Sequence, residues 1–337
     1  MPYNQEHLPQ YHNTIIPQYR QINILVTGGA GFIGSNLVEA LLADERVAMV
    51  RVLDNLATGF MYNIEEFKPN SKFQFVNGDI RDYDAVKAAC EGIDVISHQA
   101  ALGSVPRSIK DPLTTNDVNI TGTLNVFQAA VEQGVKRVVF AASSSTYGDS
   151  EGLPKVEDKI GRPLSPYAVT KYVNELYADV FDRTYGIEYI GLRYFNVYGP
   201  KQDPNGAYAA VIPLFFKAAI DGIGPIINGD GTNSRDFTYV NNAVEANMLA
   251  IFTQEKAAVN QIYNIACAER TDLNELWQYI KNITHTKAYV THGPNRSGDI
   301  PHSLADISKA NSLLHYTGAV KINEGLQRAF EFYSLKG

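Results

Sequence analysis

INILVTGGAGFIGSN, residues 22–36, decides how this chain is read. Six residues rich in β-branched and aliphatic side chains predict a strand buried on both faces, and FIGSNLVEALLAD behind them has the period of a helix. Across the junction stand Gly28, Gly31 and Gly34, with Phe32 and Ile33 opening the helix stretch. That spacing is a dinucleotide fingerprint: the first glycine permits a tight turn, the second lets pyrophosphate reach the backbone, the third lets helix pack on strand. The helix N-terminus then offers free N–H groups to phosphate. Asp54, next to Asn55 at the end of the second strand, lies 20 residues past Gly34. An acid there accepts ribose hydroxyls and repels a 2′-phosphate, which favours NAD over NADP. No lysine follows Gly34, so the turn is not a P-loop.

Working outward, short apolar runs alternate with amphipathic stretches: VRVLD (50–54), FQFV (73–76), DYDAVKAACEG (82–92), DVISHQA (94–100), NITGTLNVFQAAVEQG (119–134), KRVVFAA (136–142), SPYAVTKYVNELYADVFDRTYG (165–186) and IEYIGLRYF (187–195). Alternating strands and helices predict an α/β fold with a doubly wound parallel sheet. Gly134 and Gly186 stand where helices should stop with a left-handed residue. Residues 1–21 read as an N-terminal extension, 22–195 as the nucleotide-binding domain, and 196–337 mainly as a smaller, interleaved substrate lobe, with return segments near 235–265. In that lobe 241–254, 272–283 and 322–335 have helical spacing, and QIYNI (261–265) is suited to rejoin the large sheet.

Composition excludes several classes. The chain has 337 residues, 29 Lys+Arg against 36 Asp+Glu, a net charge of −7 and two cysteines. An acidic chain without a Lys/Arg block is a poor partner for nucleic acid. No uncharged apolar run is long enough to span a bilayer, and the N-terminus lacks the pattern of a secretory signal, so a cytoplasmic protein is expected. The seven histidines are isolated, no metal-ligand spacing occurs, and no Gly-x-Ser-x-Gly elbow is present.

A second constellation follows the fifth strand: Ser143-Ser144-Ser145-Thr146-Tyr147-Gly148, then Tyr167 and Lys171. Ser165-Pro166 reads as N-cap and first helical position, which sets Tyr167 in the first turn and Lys171 one turn on along the same face. A phenol titrates near 10, so acting as a base near neutrality needs a shift of about 3 units. The Lys171 cation, the helix end and a bound nicotinamide cation are the expected sources. Ser143, at the end of its strand, is placed to bond both the reacting hydroxyl and Tyr167. Asp79-Ile80 reads either as the adenine edge of the cofactor site or as a helix N-cap.

With these residues in hand, the chain resembles the extended short-chain dehydrogenase/reductase family over 22–335, and within it the nucleotide-sugar 4-epimerases. The resemblance is carried by GGAGFIGSN (28–36), LDN (53–55), GDIRD (78–82), HQAALGSVPRS (98–108), SSSTYGD (143–149), SPYAVTK (165–171), LRYFNVYGP (192–200), SRDFTYV (234–240) and SLADISKA (303–310). HQAALGSVPRS, SSSTYGD and PNGAYAAVIP (204–213) together are most similar to bacterial epimerases that make UDP-N-acetylgalactosamine or its uronate for surface polysaccharides.

The resemblance implies a Rossmann-like fold, an NAD held tightly and regenerated in each cycle, and 4-epimerisation through a 4-keto sugar. It implies that Tyr167 takes the 4-hydroxyl proton, aided by Ser143 and Lys171, and that Ala100 and Asn119 support the cofactor site. It assigns Gly103, Ser104, Ser144, Ser145 and Asn196 to the sugar or phosphate, Arg235 to the diphosphate, and Arg296 with Asp299 to phosphate and uridine ribose. As bare residues, Arg235 beside Asp236 also reads as a surface ion pair, and Asn119 as a helix cap. Relatives that dehydrate or decarboxylate carry an acid just before the Tyr-Gly pair, where this chain has Thr146. Ser303, in the late SLAD motif, is small where a bulky residue would leave room for a hydroxyl only. Gly103 replaces a usual Lys and Ala210 a usual Asn, both enlarging the site. UDP-N-acetylglucosamine is therefore the expected substrate, with its uronate or UDP-glucose as alternatives. A homodimer through the helices at 119–132 and 167–184 is implied as well.

Overall fold

A computed structural model describes residues 21–206, 209–294 and 301–335. β1 (Ile22–Thr27) is buried from Ile24 onward and runs through the glycine turn into α1 (Phe32–Ala43), then β2 (Val47–Asp54) and β3 (Phe73–Asn77). α2 (Tyr83–Ala89) leads to β4 (Val95–His98), followed by short α3 (Val105–Lys110) and α4 (Pro112–Asn116), α5 (Gly122–Glu132) and β5 (Arg137–Ser143). α6 (Pro166–Tyr185) and β6 (Glu188–Tyr194) complete the first half. The second half contains β7 (Val197–Tyr198), α7 (Val211–Ile220), β8 (Ile226–Asn228), β9 (Ser234–Arg235), β10 (Thr238–Tyr239), α8 (Val240–Phe252), β11 (Gln261–Ile265), β12 (Thr271–Asp272), α9 (Leu273–Thr284), β13 (Thr291–Gly293), α10 (Ser308–Leu314) and α11 (Ile322–Ser334).

Seven strands form one parallel sheet in the order β11-β6-β5-β4-β1-β2-β3. The fold is the doubly wound, Rossmann-like α/β sheet that the alternating pattern predicts. The strand order reverses between β1 and β4, and Thr27 pairs with His98 there. Ligands of such sheets bind at that reversal, beyond the carboxyl ends of the strands. Apolar residues of α1 and α8 cover one face, with α10 beside them, and those of α2, α5 and α6 cover the other. A separate apolar cluster unites α7, α9 and α11 around Phe215, Trp277 and Leu326. Small two-stranded pairings (β10 with β7, β12 with β9, β13 with β8) stitch this lobe together.

Local chemistry accounts for the element ends. Ser165 accepts from the Ala168 N–H at 3.1 Å with Pro166 behind it, and Gly186 closes α6 at φ 71°. Asp272 and Glu275 form a reciprocal capping box at α9. The structure departs from the sequence reading in three places. Regular helix begins at Gly122 because Asp117–Thr121 is a π turn. Residues 105–116 hold two short helices, each started by a capped Ser104 or Asp111 and an early proline. α7 lies inside a stretch whose Gly and Pro content suggested irregular chain.

Candidate active site

The glycine turn lies against the end of β1. Gly28 takes φ 70°, which a side chain resists, and a Cβ on Gly34 would sit 2.2 Å from the Gly28 carbonyl oxygen. Gly31 differs: its Cβ would meet only that same oxygen, at 3.2 Å, and would otherwise fill open cleft. Gly31 is the N-cap of α1, no side chain caps the helix, and no acid lies in its first turn. The N–H groups at Phe32 and Ile33 therefore front the cleft as an anion cradle. At the end of β2 the buried Asp54 carboxylate accepts from the Ala30 N–H at 2.9 Å and the Leu56 N–H at 2.8 Å. Burial pushes its pKa up, and those two donors pull it back. Asp79 accepts from Asn55 Nδ2 at 2.8 Å and from both forks of Arg81, whose guanidinium holds the carboxyl down at about 2.

The second constellation faces the same cleft from the ends of β5 and α6. Lys171 is buried, and its ammonium donates to the Ala141 carbonyl at 2.8 Å, 6.0 Å from the Tyr167 ring centre. Burial pushes Lys171 down to about 8 while Glu175 opposes the fall. Burial raises the Tyr167 phenol, and its hydrogen bond with Ser143 pulls it back. The net shift is upward, opposite to the expected lowering. Ser143 Oγ also accepts from the Ser145 N–H at 3.1 Å and the Ser145 hydroxyl at 2.9 Å.

Behind this group His98 is neutral, its pKa pushed down to about 3 by burial and by Lys171. Its tautomer is fixed by its neighbours. The Thr123 hydroxyl donates to the Asn119 carbonyl, so it accepts from His98 Nε2–H at 2.9 Å, leaving Nδ1 to accept from Thr27 Oγ1 at 2.7 Å.

A sequence profile of the NAD dependent epimerase/dehydratase family matches residues 24–266. The chain belongs to that family. A UDP-glucose 4-epimerase of Mycolicibacterium smegmatis is 36% identical over 314 residues, 93% of this chain and 98% of that protein. Among solved structures, a UDP-glucose 4-epimerase of Thermotoga maritima with UDP-glucose has a TM-score of 0.87 at 35% identity, covering 94% of this chain and 99% of the other. A UDP-N-acetylglucosamine 4-epimerase of Methanobrevibacter ruminantium in complex with UDP-N-acetylmuramic acid has a TM-score of 0.86 at 36% identity, covering 94% and 100%. Like its family, the chain is an NAD-dependent enzyme, and the uncapped α1 terminus, the open face of Gly31 and the ordered Asp54 fit that cofactor.

A cleft of about 620 Å³ brings together Gly28, Gly31, Phe32, Ile33, Gly34, Asp54, Asn55, Asp79, Ile80 and Ala100 with Gly103, Ser143, Ser144, Tyr167, Lys171 and Asn196. Other expected residues do not line it. Asn119 is fully buried, accepts from the Leu102 N–H at 2.8 Å and donates to Thr170 Oγ1 at 3.1 Å, so it ties a cleft loop to α6. Ser104 caps α3 at φ 153°, Ser145 leans on Ser143, and Ala210 is the exposed N-cap of α7. Arg235 donates to the Ser234 and Pro301 carbonyls at 2.9 and 3.3 Å, while Asp236 is buried and accepts from the Cys267 and Ala305 N–H groups at 3.0 and 3.2 Å. The surface-pair reading of those two residues is therefore set aside. Ser303 hangs from Ser234 by a backbone bond of 3.0 Å. Arg296 and Asp299 lie outside the described residues.

Thr146 is buried, with its hydroxyl on the Ser143 carbonyl at 2.8 Å, so the residue facing the cleft beside Ser143 is Ser144. Sequence reading missed Thr58, Gln99, Tyr194 and Gln202, which also line the cavity. Tyr194 accepts from Asn247 Nδ2 at 2.7 Å and donates to Gln99 Oε1 at 3.2 Å, a polar floor contributed by three distant segments. Only the glycine of LATGF signalled its loop: a Cβ on Gly59 would strike the Ala30 carbonyl carbon at 2.7 Å.

Proposed function

We propose that the chain interconverts UDP-N-acetylglucosamine and UDP-N-acetylgalactosamine through a 4-keto sugar. The observation that carries the reading is the Ser143–Tyr167–Lys171 group facing the same cleft as the glycine turn, with a serine, not an acid, beside it. Among the described residues lining that cleft the only carboxylates are Asp54 and Asp79, both engaged at its far end. No carboxyl group there is free to protonate a departing hydroxyl, which favours epimerisation over dehydration.

NAD, held by the glycine turn and Asp54, would supply the hydride acceptor and donor for the sugar C4. Tyr167, as phenolate, takes the proton of the 4-hydroxyl and gives it back when the hydride returns. The Ser143 hydroxyl bonds the reacting oxygen and holds its direction. Lys171 supplies the positive charge that keeps the phenolate stable in a buried site. Arg235 is assigned to the diphosphate, Asn196 to a phosphate or the sugar, and Arg296 with Asp299 to phosphate and uridine ribose, with 196–337 as the main substrate-binding part of the chain and 22–195 as the cofactor-binding part. Gly103 in the cleft lining, with Ser303 and Ala210 outside it, is assigned to the room for an N-acetyl group. The relatives named for UDP-glucose and the solved neighbour named for UDP-N-acetylglucosamine bracket this choice.

A homodimer is part of the same reading. Val169, Leu176 and Val180 are exposed along one side of α6, with Ile109 and Leu113 exposed on the short helices packed beside it. Purified protein supplied in parallel with UDP-N-acetylglucosamine, its uronate and UDP-glucose, without added NAD, should form the 4-epimer fastest from the first. A clear preference for UDP-glucose would overturn the sugar assignment. Turnover of none of them by NAD-bearing protein would overturn the epimerase. Tyr167→Phe should lower turnover about 10³-fold while NAD stays bound.

A further inference from the structure

Lys171 does not stand alone inside α6. Glu175 follows one turn later on the same side of the helix, and both side chains are buried. Glu175 does not bond Lys171, whose ammonium goes to the Ala141 carbonyl. Its two oxygens are taken by Arg193 of β6, Nε to Oε1 at 2.9 Å and a terminal nitrogen to Oε2 at 2.7 Å. Arg193 in turn donates to the Glu157 carbonyl at 2.9 Å and lies 4.9 Å from the Tyr147 ring centre. The cluster thus runs cation, anion, cation from the cleft inward, with the single carboxylate between the two positive groups.

We propose that Glu175, clamped by Arg193, is the positioning residue that keeps the Lys171 ammonium charged. Without that carboxylate two cations would share a dry interior with only carbonyl acceptors, and the lysine, the group able to release a proton, would be the one to yield. The other groups facing Lys171 do not replace it. Tyr167 on α6 offers Lys171 no negative charge in the protein alone, since burial raises its phenol, and His98 of β4 is neutral. Tyr147, from the turn after β5, bonds Asn264 at 2.6 Å, and the Glu157 carboxylate accepts from the Asn264 N–H at 2.9 Å. Arg193 has the reverse effect on Lys171, since its bidentate grip cancels part of the field of Glu175. The inference deepens the proposed function, because that reaction uses the Lys171 charge, but its test needs no turnover.

The test is the titration of Lys171 in the NAD-bearing full chain, followed by the NMR signal of 13Cε-lysine and assigned by its loss in Lys171→Arg. Glu175→Gln, which keeps the shape and removes the charge, should lower the midpoint by about one unit, a tenfold loss of proton affinity. Arg193→Gln, which frees the carboxylate, should raise it. Glu175→Asp should return it close to the wild-type value. Either of the first two variants decides the matter if the other does not fold. Unchanged midpoints, or a shift in the same direction from both as a loosened helix would give, would overturn the proposal. Absence of epimerase turnover would leave these midpoints unaffected.

Discussion

The two ends of the cleft are built differently. The cofactor end uses contiguous chain: a strand, a glycine turn and a helix within residues 22–43, closed by Asp54 at the tip of the neighbouring strand. The sugar end, as proposed, draws on fragments: Asn196 after β6 in the cleft lining, with Arg235 in a two-residue strand and Ser303 suspended from Ser234 outside it. Where a site is made of contiguous chain, the backbone itself dictates residue type. Where it is assembled from distant pieces, residue type is set by the ligand, and the chain tolerates change. The largest effect should therefore come from the first end. Gly34→Ala places a methyl 2.2 Å from a backbone oxygen that cannot move without breaking the turn. A loss of at least about 3 kcal/mol in urea unfolding, with NAD no longer retained on gel filtration, is expected. Near-normal stability would show the turn to be more pliant than its geometry indicates.

The comparison extends to pH, because two of the buried titratable groups, His98 and Asp236, are shifted with opposite effect on the pH dependence of stability. His98, behind the catalytic group, is depressed from 6.5 to about 3. Between those values the unfolded chain binds the extra proton, so this group adds stability as pH rises and loses it as pH falls. Asp236, beneath the sugar end, is raised from 3.8 to about 7 by burial. Its folded form keeps a proton that the unfolded chain releases, so its stabilisation is lost as pH rises across that window. Each contributes a slope of up to about 1.4 kcal/mol per pH unit, and between roughly pH 4 and 6.5 the two oppose. His98→Gln should make unfolding free energy fall with rising pH relative to wild type, and Asp236→Asn should make it rise. Denaturant series at pH 4.5, 5.5 and 6.5 check both, and parallel profiles for all three proteins would refute the pairing.

The same contrast explains what was legible in the sequence. The parallel sheet followed from uninterrupted apolar runs, and Tyr167 and Lys171 from a Ser-Pro helix start that fixes their turn and face. Asn119 was legible as a residue but not as a role, because only the fold reveals that its amide binds Leu102 and Thr170. Gln99 and Tyr194 left no local signal. Their shared partner Asn247 lies 148 and 53 residues away, and no period or spacing in one sequence encodes such a meeting. The α7 helix was hidden because glycine and proline around it mark turns, whereas its own VIPLFFKAAI is held by packing on Trp277 and its neighbours.

At the sugar end the effects should be smaller and should alter preference instead of folding. Ser303→Tyr fills the space assigned to the N-acetyl group, and should reduce kcat/KM for UDP-N-acetylglucosamine relative to UDP-glucose about tenfold or more. An unchanged ratio would remove Ser303 from the selection of the sugar.

Gly103 sharpens the contrast most directly, since it is the same residue type as Gly34 in the same cleft. It has no left-handed backbone angle, it is exposed, and a Cβ there would meet nothing within 4 Å. Nothing among the described residues requires glycine at this position, so Gly103→Lys should change unfolding free energy by no more than about 0.5 kcal/mol. Its long side chain would occupy cleft volume and add a cation near the sugar, so the N-acetyl preference should narrow while the fold stays intact. If Gly103→Lys destabilises the chain, the sugar end is as constrained by its backbone as the cofactor end, and the distinction between them fails. If it alters neither stability nor preference, the room for the N-acetyl group is made elsewhere, and Ser303 is left to account for it alone.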